Sequence, residues 1–216
     1  LCKMIEIQSF TFNGFQENTY VLFDQTRECI IIDPGCYEKS EQQTLINFIE
    51  NNHLKPVKLI NTHCHIDHVL GNKFVAEKWD LPLYMHEKDL PTLKSVLDYC
   101  KVYGFHNYEP SPEPSVFLNH TDKLTFGKSS LDVYFTPGHA PGHIVFHSPS
   151  QKFIIGGDVL FYTSIGRTDL PGGDHETLIK SIKESLLIMD DQTIVYCGHG
   201  QPTKIGFERE NNPFLK

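Results

Sequence analysis

The stretch Thr62-His63-Cys64-His65-Ile66-Asp67-His68 contains three histidines and one aspartate. It closely follows a largely apolar run, Val57–Ile60, which is typical of a buried β-strand that ends there. Imidazole and carboxylate groups are ligands that Zn²⁺ and Fe²⁺ accept in proteins. The alternatives are a solvated histidine patch or a tag remnant, but a tag would be terminal and unbroken, and a solvated patch has no reason to follow a buried strand. The pattern therefore predicts a metal site.

The spacing within this stretch indicates how the ligands divide. In an extended segment alternate side chains share one face, so His63 and His65 can point at one ion while Cys64 points into the core. Asp67 and His68 follow where the chain turns into a helix, and they can reach a second point nearby. The stretch therefore predicts two half-sites, and Cys64 is not expected to act as a nucleophile.

Composition limits the class of protein. With 216 residues and 39% hydrophobic content, the chain can form one well-buried core, and we expect a single domain over residues 1–216. The net charge of −8 argues against nucleic acid as a partner and favours a small-molecule substrate. The N-terminus, Leu1–Ile7, lacks the apolar core of a signal peptide, and no apolar run reaches about 18 residues. We therefore expect a cytoplasmic protein with no membrane partner, whose six cysteines are free thiols.

Apolar patterns predict the order of helices and strands in the first half. Three strand-like runs, then a helix that opens with a capping box, precede the strand that feeds His63. The runs are Met4–Phe10, Thr19–Phe23 and Cys29–Ile32, and the capping box is Ser40-Glu41-Gln42-Gln43. Two more helices are expected around 74–79 and 90–100. The proline-rich segment Tyr103–Ser115 is expected to be a loop, either a lid over a pocket or a plain surface connection.

The second half repeats this order. Strand-like runs at 131–135, 144–147 and 153–155 precede a helix from about His175, and another strand follows at 193–196. The apolar face of that helix is expected to comprise Leu178, Ile182, Leu186 and Met189. The repetition suggests an old duplication and predicts an α/β sandwich of two mixed sheets with helices outside. Its ligands would gather along one edge, where several strands end.

Three later stretches place a possible ligand where a strand runs into a glycine-rich turn. They are Thr136-Pro137-Gly138-His139, Gly156-Gly157-Asp158 and Cys197-Gly198-His199-Gly200. Glycines there let the backbone approach a bulky centre closely. With the first stretch, these side chains give five histidines and two aspartates, enough for two ions that share one bridging carboxylate.

Together these motifs resemble the metallo-β-lactamase fold superfamily, nearly from end to end of the chain. The resemblance implies a four-layer αββα sandwich of two mixed β-sheets with helices outside. It also implies the division of the ligands: His63, His65 and His139 hold metal 1, Asp67, His68 and His199 hold metal 2, and Asp158 bridges. The expected cofactors are two divalent ions, zinc first, with iron or manganese as alternatives.

Within the superfamily, several motifs resemble glyoxalase II, the hydrolase of S-lactoylglutathione. They are Thr136–His143, Gly157–Phe161 and Ile165–Arg167, and the closing Gly206–Leu215 resembles the short single-domain glyoxalase II-like proteins. A lysine and a tyrosine of the family's glutathione site appear here as Arg167 and Asp169. The chain ends about where the extension that supplies much of the family's glutathione pocket would begin. The resemblance thus implies a thioester hydrolase with Arg167 as a substrate-binding residue, and it leaves recognition of glutathione open.

The same resemblance implies a mechanism. Two ions about 3.5–4 Å apart can lower the pKa of a shared water from 15.7 towards 7, and Asp67 and Asp158 are the carboxylates assigned to that reacting centre. A thiol with a pKa near 8.5 can leave as thiolate, so no separate general acid is required. Lys204 or Arg209 could also hold a substrate carboxylate, although each is more often a surface charge.

Two other functions remain open. Persulfide dioxygenases share this fold, and Gly166-Arg167-Thr168-Asp169 resembles their sequence. They use one iron held by two histidines and an aspartate, which correspond here to His63, His139 and Asp158. A metal-binding protein without catalysis is the other alternative, and the filled ligand positions argue against it. The glyoxalase-like motifs favour hydrolysis.

The pattern leaves two further residues with two interpretations each. His143 is either a hydrogen-bond partner of a metal ligand or an ordinary packing residue. Asp33 either steadies the ligand loop or simply belongs to the turn Asp33-Pro34-Gly35. The remaining histidines are expected at the surface or in packing; they are His53, His86, His106, His120, His147 and His175.

Overall fold

The computed structural model of the protein describes residues 4–216, which form two compact units. The first unit comprises the chain up to Phe117 together with 125–129, and the second comprises 118–124 and 130–216. Cys2 and the start of the N-terminal segment lie outside the described residues. The assignment of residues 1–216 to a single domain stays a prediction.

The first unit is built on a mixed six-stranded sheet. Its elements in chain order are β1 (Glu6–Phe12), β2 (Glu17–Phe23), β3 (Glu28–Ile32), α1 (Lys39–Asn51), β4 (Lys55–Ile60), α2 (Ile66–Val69), α3 (Asn72–Trp79), β5 (Leu83–Met85), α4 (Leu90–Tyr99) and β6 (Val116–Phe117). The strands lie in sequence order; β1, β2 and β3 pair antiparallel, and β3, β4, β5 and β6 pair parallel. β2 is buried along its whole length, and Leu45 and Ile49 carry the apolar face of α1 into the same core.

The second unit holds most of another mixed six-stranded sheet. The elements that follow β6 in the chain are β7 (Lys123–Phe126), β8 (Ser129–Phe135), β9 (Ile144–Ser148), β10 (Phe153–Gly157), β11 (Leu160–Phe161), β12 (Ser164–Ile165), α5 (His175–Ser181), β13 (Ile194–Cys197), β14 (Thr203–Lys204) and α6 (Ile205–Asn211). The sheet order is β14-β13-β10-β9-β8-β7, and β11 and β12 form a separate hairpin. A π-helical turn, Ile182–Leu186, continues α5 and keeps its apolar side chains in the core of this unit.

The two sheets share one pattern of connections. In the first, β2 and β3 are antiparallel, and the chain returns through α1 to place β4 parallel to β3. In the second, β9 and β10 are antiparallel, and the chain returns through α5 to place β13 parallel to β10. Because parallel neighbours end at the same edge of a sheet, each unit presents the segments that follow two adjacent strands side by side. The predicted α/β fold with two mixed sheets and helices is confirmed.

Some local expectations were wrong. The helix α1 begins at Lys39, and Oε2 of Glu41 accepts a hydrogen bond from the backbone N–H of Glu38 at 2.9 Å, so Ser40 does not begin the capping box. The helical segment that starts at His175 ends at Leu186, so Met189 does not belong to it.

The segment between α4 and β6 is held in place at several points. Phe105 is buried in the core of the first unit. The backbone N–H of Asn107 donates to the Tyr37 hydroxyl at 2.9 Å, and Asn72 donates to the Ser111 hydroxyl at 3.0 Å. These contacts favour a surface connection over a lid. Within residues 4–216, no helix combines the length and the apolar character that crossing a membrane requires.

Candidate metal centre

The first unit brings its four predicted ligands together at the ends of β3 and β4. The ring centroid of His63 lies 4.8 Å from that of His65 and 4.1 Å from that of His68. The short helix α2 places Asp67 and His68 in one turn, with Nε2 of His68 3.6 Å from Oδ2 of Asp67. The prediction that the chain turns into a helix at this point is confirmed.

Asp33, directly after β3, orients this group. Its Oδ2 lies 3.2 Å from Nδ1 of His68, and the backbone N–H and hydroxyl of Thr62 donate to its two oxygens at 2.7 and 2.6 Å. Asp33, His63 and His68 lie close enough to hold an ion, but the oxygens of Asp33 already accept from Thr62 and His68. Asp33 therefore steadies the ligand loop, which is one of the two roles considered for it.

The same contacts decide which ring nitrogens carry protons. The Thr62 hydroxyl has one proton and donates it to Asp33, so its 3.1 Å contact with Nδ1 of His63 requires the ring N–H as donor. Likewise Nδ1 of His68 donates to Asp33. In both rings Nε2 then presents the lone pair that a metal requires.

Two buried carboxyl groups behind the ligands carried no signal in the sequence. Oε1 of Glu17 lies 3.8 Å from Nδ1 of His68, and Thr19 donates to Oε2 at 2.9 Å. Burial raises the pKa of Glu17 well above its ordinary range, against the lowering effect of His68. Asp89 accepts a hydrogen bond from the backbone N–H of Cys64 at 2.6 Å and so holds the ligand loop at a second point.

Cys64 itself is fully buried, with its sulfur 3.8 Å from that of Met85. Burial, followed by the negative charge of Asp89, raises the pKa of its thiol well above the ordinary value. The prediction that Cys64 points into the core is confirmed.

The second unit brings together the other three predicted ligands. Since β8, β10 and β13 all run in one direction, the residues that follow them meet at one edge of the sheet. Oδ2 of Asp158 lies 3.6 Å from Nε2 of His139 and 3.4 Å from Nε2 of His199. These separations are long for hydrogen bonds. They match the roughly 3.4 Å between two ligand atoms that each lie about 2.1 Å from a tetrahedral ion.

Hydrogen bonds also fix the orientation of these ligands. Nδ1 of His139 donates to the backbone carbonyl of Arg167 at 2.7 Å, so its Nε2 carries the lone pair that faces Asp158. His143 is fully buried; its Nε2 accepts from the backbone N–H of Asp158 at 3.1 Å, and its Nδ1 contacts the Thr136 hydroxyl at 3.2 Å. His143 therefore positions Asp158 and is not itself placed to bind a metal.

Glycine is required at two positions here. A Cβ on Gly166 would lie 1.9 Å from the carbonyl oxygen of Asp158 and 3.0 Å from Nδ1 of His139. Gly138 has φ of 129°, and a Cβ there would lie 2.3 Å from the backbone of Leu178. Gly166 thus lets the backbone pass close to Asp158 and His139, whereas Gly138 lets the turn before His139 pack against α5.

The charged residues proposed for substrate binding are engaged with their neighbours. The Arg167 guanidinium donates to both carboxyl oxygens of Asp169 at 2.7 Å, and this hydrogen bonding lowers the pKa of Asp169 to about 2. Arg209 binds Asp191 and the carbonyl of Leu187, while Lys204 contacts Gln192. Arg167 contributes to the ligand group through its backbone carbonyl, which accepts from Nδ1 of His139, while its side chain is exposed and paired with Asp169.

Comparison with known proteins agrees with this geometry. Residues 12–199 match the metallo-beta-lactamase superfamily. The chain is 37% identical over 204 residues to the probable metallo-hydrolase YqgX of Bacillus subtilis, covering 93% of this chain and 92% of that relative. It is 36% identical over 216 residues to the hydroxyacylglutathione hydrolase GloC of Haemophilus influenzae, covering 98% of both. A solved structure of TTHA1623 in a di-iron-bound form is 35% identical, with a TM-score of 0.85, covering 96% of this chain and all (100%) of that one.

The chain therefore belongs to the metallo-β-lactamase superfamily, and its relatives include a probable metallo-hydrolase and a hydroxyacylglutathione hydrolase. The donor set fits divalent metal ions, because each unit presents imidazole nitrogens and a carboxylate oxygen at spacings of 3.4 to 3.6 Å.

Proposed function

We propose that the chain is a hydrolase that uses two divalent metal ions, with zinc as the first candidate. Metal 1 would be held by His63, His65 and His139, metal 2 by Asp67, His68 and His199, and Asp158 would bridge them. The observation that carries this proposal is the position of Asp158. One of its oxygens, Oδ2, lies 3.6 Å from Nε2 of His139 and 3.4 Å from Nε2 of His199. A carboxylate in that position is suited to contact two ions at once.

When bound, such ions supply Lewis acidity, which lowers the pKa of water and polarises a substrate carbonyl. The protein's own residues supply orientation. Asp33, Thr62 and the Arg167 carbonyl hold His68, His63 and His139 through Nδ1, so that each Nε2 is aimed before any ion arrives. Preorganisation of this kind avoids rearranging the ligands during the reaction.

For the substrate, we propose an acyl thioester such as S-lactoylglutathione. Support comes from the 36% identity to a hydroxyacylglutathione hydrolase over nearly the whole chain. A thioester also suits the site chemically, because a thiol with a pKa near 8.5 can depart as thiolate without a dedicated acid. Arg167 would bind a substrate carboxylate by exchanging it for Asp169, since both partners are exposed and the ion pair is therefore weak.

Composition supports the proposed substrate class and cellular location. We propose a small-molecule substrate, with no nucleic-acid or membrane partner, because the net charge is −8. A cytoplasmic location is supported by five buried cysteines that are free thiols.

Metal analysis combined with turnover tests this proposal. Purified protein should contain about two ions per chain and hydrolyse S-lactoylglutathione or another member of a thioester panel. Asp67→Ala and His68→Ala should abolish hydrolysis, whereas the matched control Asp98→Ala, at an exposed carboxylate of the same unit, should retain it. Protein that carries two ions and turns over no thioester would overturn the substrate assignment.

The same experiment addresses the mononuclear iron alternative. A persulfide dioxygenase would retain about one iron, consume oxygen with glutathione persulfide, and tolerate Asp67→Ala, because its iron would use His63, His139 and Asp158. That outcome would replace the hydrolase proposal.

A further inference from the structure

The C-terminal helix α6 carries a buried acidic side chain that the proposed chemistry does not use. Glu208 is fully buried, and Thr163, Thr203 and Asn212, which donate hydrogen bonds to its carboxyl group, lie with it in the second unit. The backbone N–H of Thr163 donates to both of its oxygens at 3.1 and 3.0 Å. The Thr203 hydroxyl donates to Oε1, and the amide of Asn212 donates to Oε2 at 2.8 Å. A buried acidic group with three donors is held in one position. We call this cluster of Glu208, Thr163, Thr203 and Asn212 the junction.

The first set of contacts, to Thr163 and Ser164, connects the junction to the hairpin that lies between Asp158 and Arg167. Thr163 forms the turn of the β11–β12 hairpin, with φ of 56°, and Asn212 also donates to the carbonyl of the next residue, Ser164, at 2.9 Å. The hairpin begins two residues after Asp158, at Leu160, and ends at Ile165.

Beyond its last strand, the hairpin reaches the group that orients His139. Gly166 donates to the carbonyl of Val159 at 3.2 Å, which closes the base of the hairpin beside Asp158. The next residue, Arg167, supplies the carbonyl that accepts from Nδ1 of His139 at 2.7 Å. The hairpin therefore links one ligand to the group that aims another.

The second contact, to the Thr203 hydroxyl, connects the junction to the loop that carries His199. Thr203 follows His199 by four residues and pairs with Val195 of β13, the strand that delivers the histidine. Ring contacts reinforce both connections: Tyr162 of the hairpin stacks on Phe207 of α6 at 5.0 Å, and Phe161 packs edge-on against His199 at 6.3 Å. The loop that carries His199 is thus held between β13 and α6.

We infer that Glu208, supported by Asn212, is a positioning residue that sets the spacing of His139, Asp158 and His199 and thereby the affinity of the second unit's ligands for metal. The inference rests on the proposed metal centre. It assigns a role to the closing segment Gly206–Leu215, because that segment supplies Glu208 and Asn212, two of the three buried polar side chains of the junction.

The test compares Glu208→Ala and Glu208→Gln with Glu210→Ala, which removes an exposed carboxylate from the same helix. Zn²⁺ affinity is measured by competition with a chromogenic chelator, and the visible spectrum of the Co²⁺-loaded protein reports ligand geometry. Folding is checked by circular dichroism at the assay temperature. We expect Glu208→Ala to bind Zn²⁺ about 10- to 100-fold more weakly and to show an altered Co²⁺ spectrum. Glu208→Gln should restore part of the affinity because its amide oxygen still accepts, and Glu210→Ala should match the wild type.

A less disruptive variant, Thr203→Val, tests the inference if Glu208→Ala does not fold. Thr203→Val removes one donor to Glu208 and keeps the other two, and it should weaken Zn²⁺ binding several-fold in a folded protein. Folded variants with wild-type Zn²⁺ affinity and an unchanged Co²⁺ spectrum would overturn this inference and leave the proposed function standing. Wild-type protein that binds no Zn²⁺ would overturn both.

Discussion

Nδ1 of His68 lies 3.2 Å from Oδ2 of Asp33, and this contact determines that Nε2 is the nitrogen presented to a metal. The ring of His139 is aimed in the same way by the backbone carbonyl of Arg167. Two ligands from different units are therefore oriented through the same ring atom but by different kinds of acceptor, one a carboxylate and one a peptide group.

Replacement of Asp33 with asparagine should lower metal affinity. An amide nitrogen in place of Oδ1 would face the backbone N–H of Thr62, and one in place of Oδ2 would face the ring N–H of His68, so at least one hydrogen bond is lost in either orientation. We expect about 10- to 100-fold weaker Zn²⁺ binding, measured by chelator competition. Asp98→Asn, at an exposed position, serves as the control. Equal affinity in both variants would mean that Asp33 is only a turn residue.

Gly166→Ala should disrupt the second unit's ligand group. The new methyl group would lie 1.9 Å from the Asp158 carbonyl oxygen, so the hairpin base must move. We expect a loss of roughly 1–3 kcal/mol in the free energy of unfolding, measured by urea denaturation, together with reduced metal content. Gly14→Ala meets nothing within 4 Å and should be close to neutral. A Gly166→Ala protein with wild-type stability would show that this close approach is absent in solution.

Cys64→Ala should keep its catalytic activity. The thiol is buried beside Met85, and its pKa is raised first by burial and then by Asp89, so it is a poor nucleophile at neutral pH. We expect activity within about threefold of the wild type and a stability loss of roughly 1 kcal/mol from the small cavity. Turnover and thermal unfolding check both values, and a loss of turnover in a folded variant would make Cys64 part of the chemistry.

Asp24 should make the first unit sensitive to acid. Burial alone would raise its pKa, but hydrogen bonds from Thr26, Lys128 and Ser129 outweigh burial and leave the pKa below its ordinary value. A lowered pKa in the folded state means that the stabilisation is complete above the unfolded value of about 3.9 and is lost as pH falls through the folded value. The free energy of unfolding should therefore fall more steeply below about pH 4 in the wild type than in Asp24→Asn.

That comparison uses urea denaturation of both proteins at several pH values. At neutral pH, Asp24→Asn should be less stable by about 1–3 kcal/mol, because the amide cannot accept from all of the same donors. Parallel pH profiles for the two proteins would show that Asp24 does not contribute to acid sensitivity.

The sequence predicted the longer strands and the ligand loops because both signals are local, but short strands such as β5, β6 and β14 were not predicted. The apolar runs at Cys29–Ile32 and 153–155 mark buried strands, and the histidines and aspartates follow strand ends directly. The repeated order of elements also predicted the shared topology of the two sheets. Helix boundaries were predicted less accurately than the elements themselves. At Ser40, for example, several neighbouring residues could cap the helix, and local geometry selects Glu38.

The groups that orient the ligands were harder to predict because they lie far away in the sequence. Glu17 is 51 residues from His68, and Glu208 is 45 residues from Thr163. The partner of His139 is a backbone carbonyl, which has no residue-type signal at all. A motif search identifies atoms that bind metal, whereas the atoms that aim them become visible only after the chain has folded.

Crystallographic anomalous scattering from zinc-loaded protein tests the central claim most directly. We predict two anomalous peaks about 3.5–4 Å apart, both in contact with the Asp158 carboxylate, one beside His139 and the other beside His199. A single peak, or a second ion that does not touch Asp158, would contradict the shared two-metal centre.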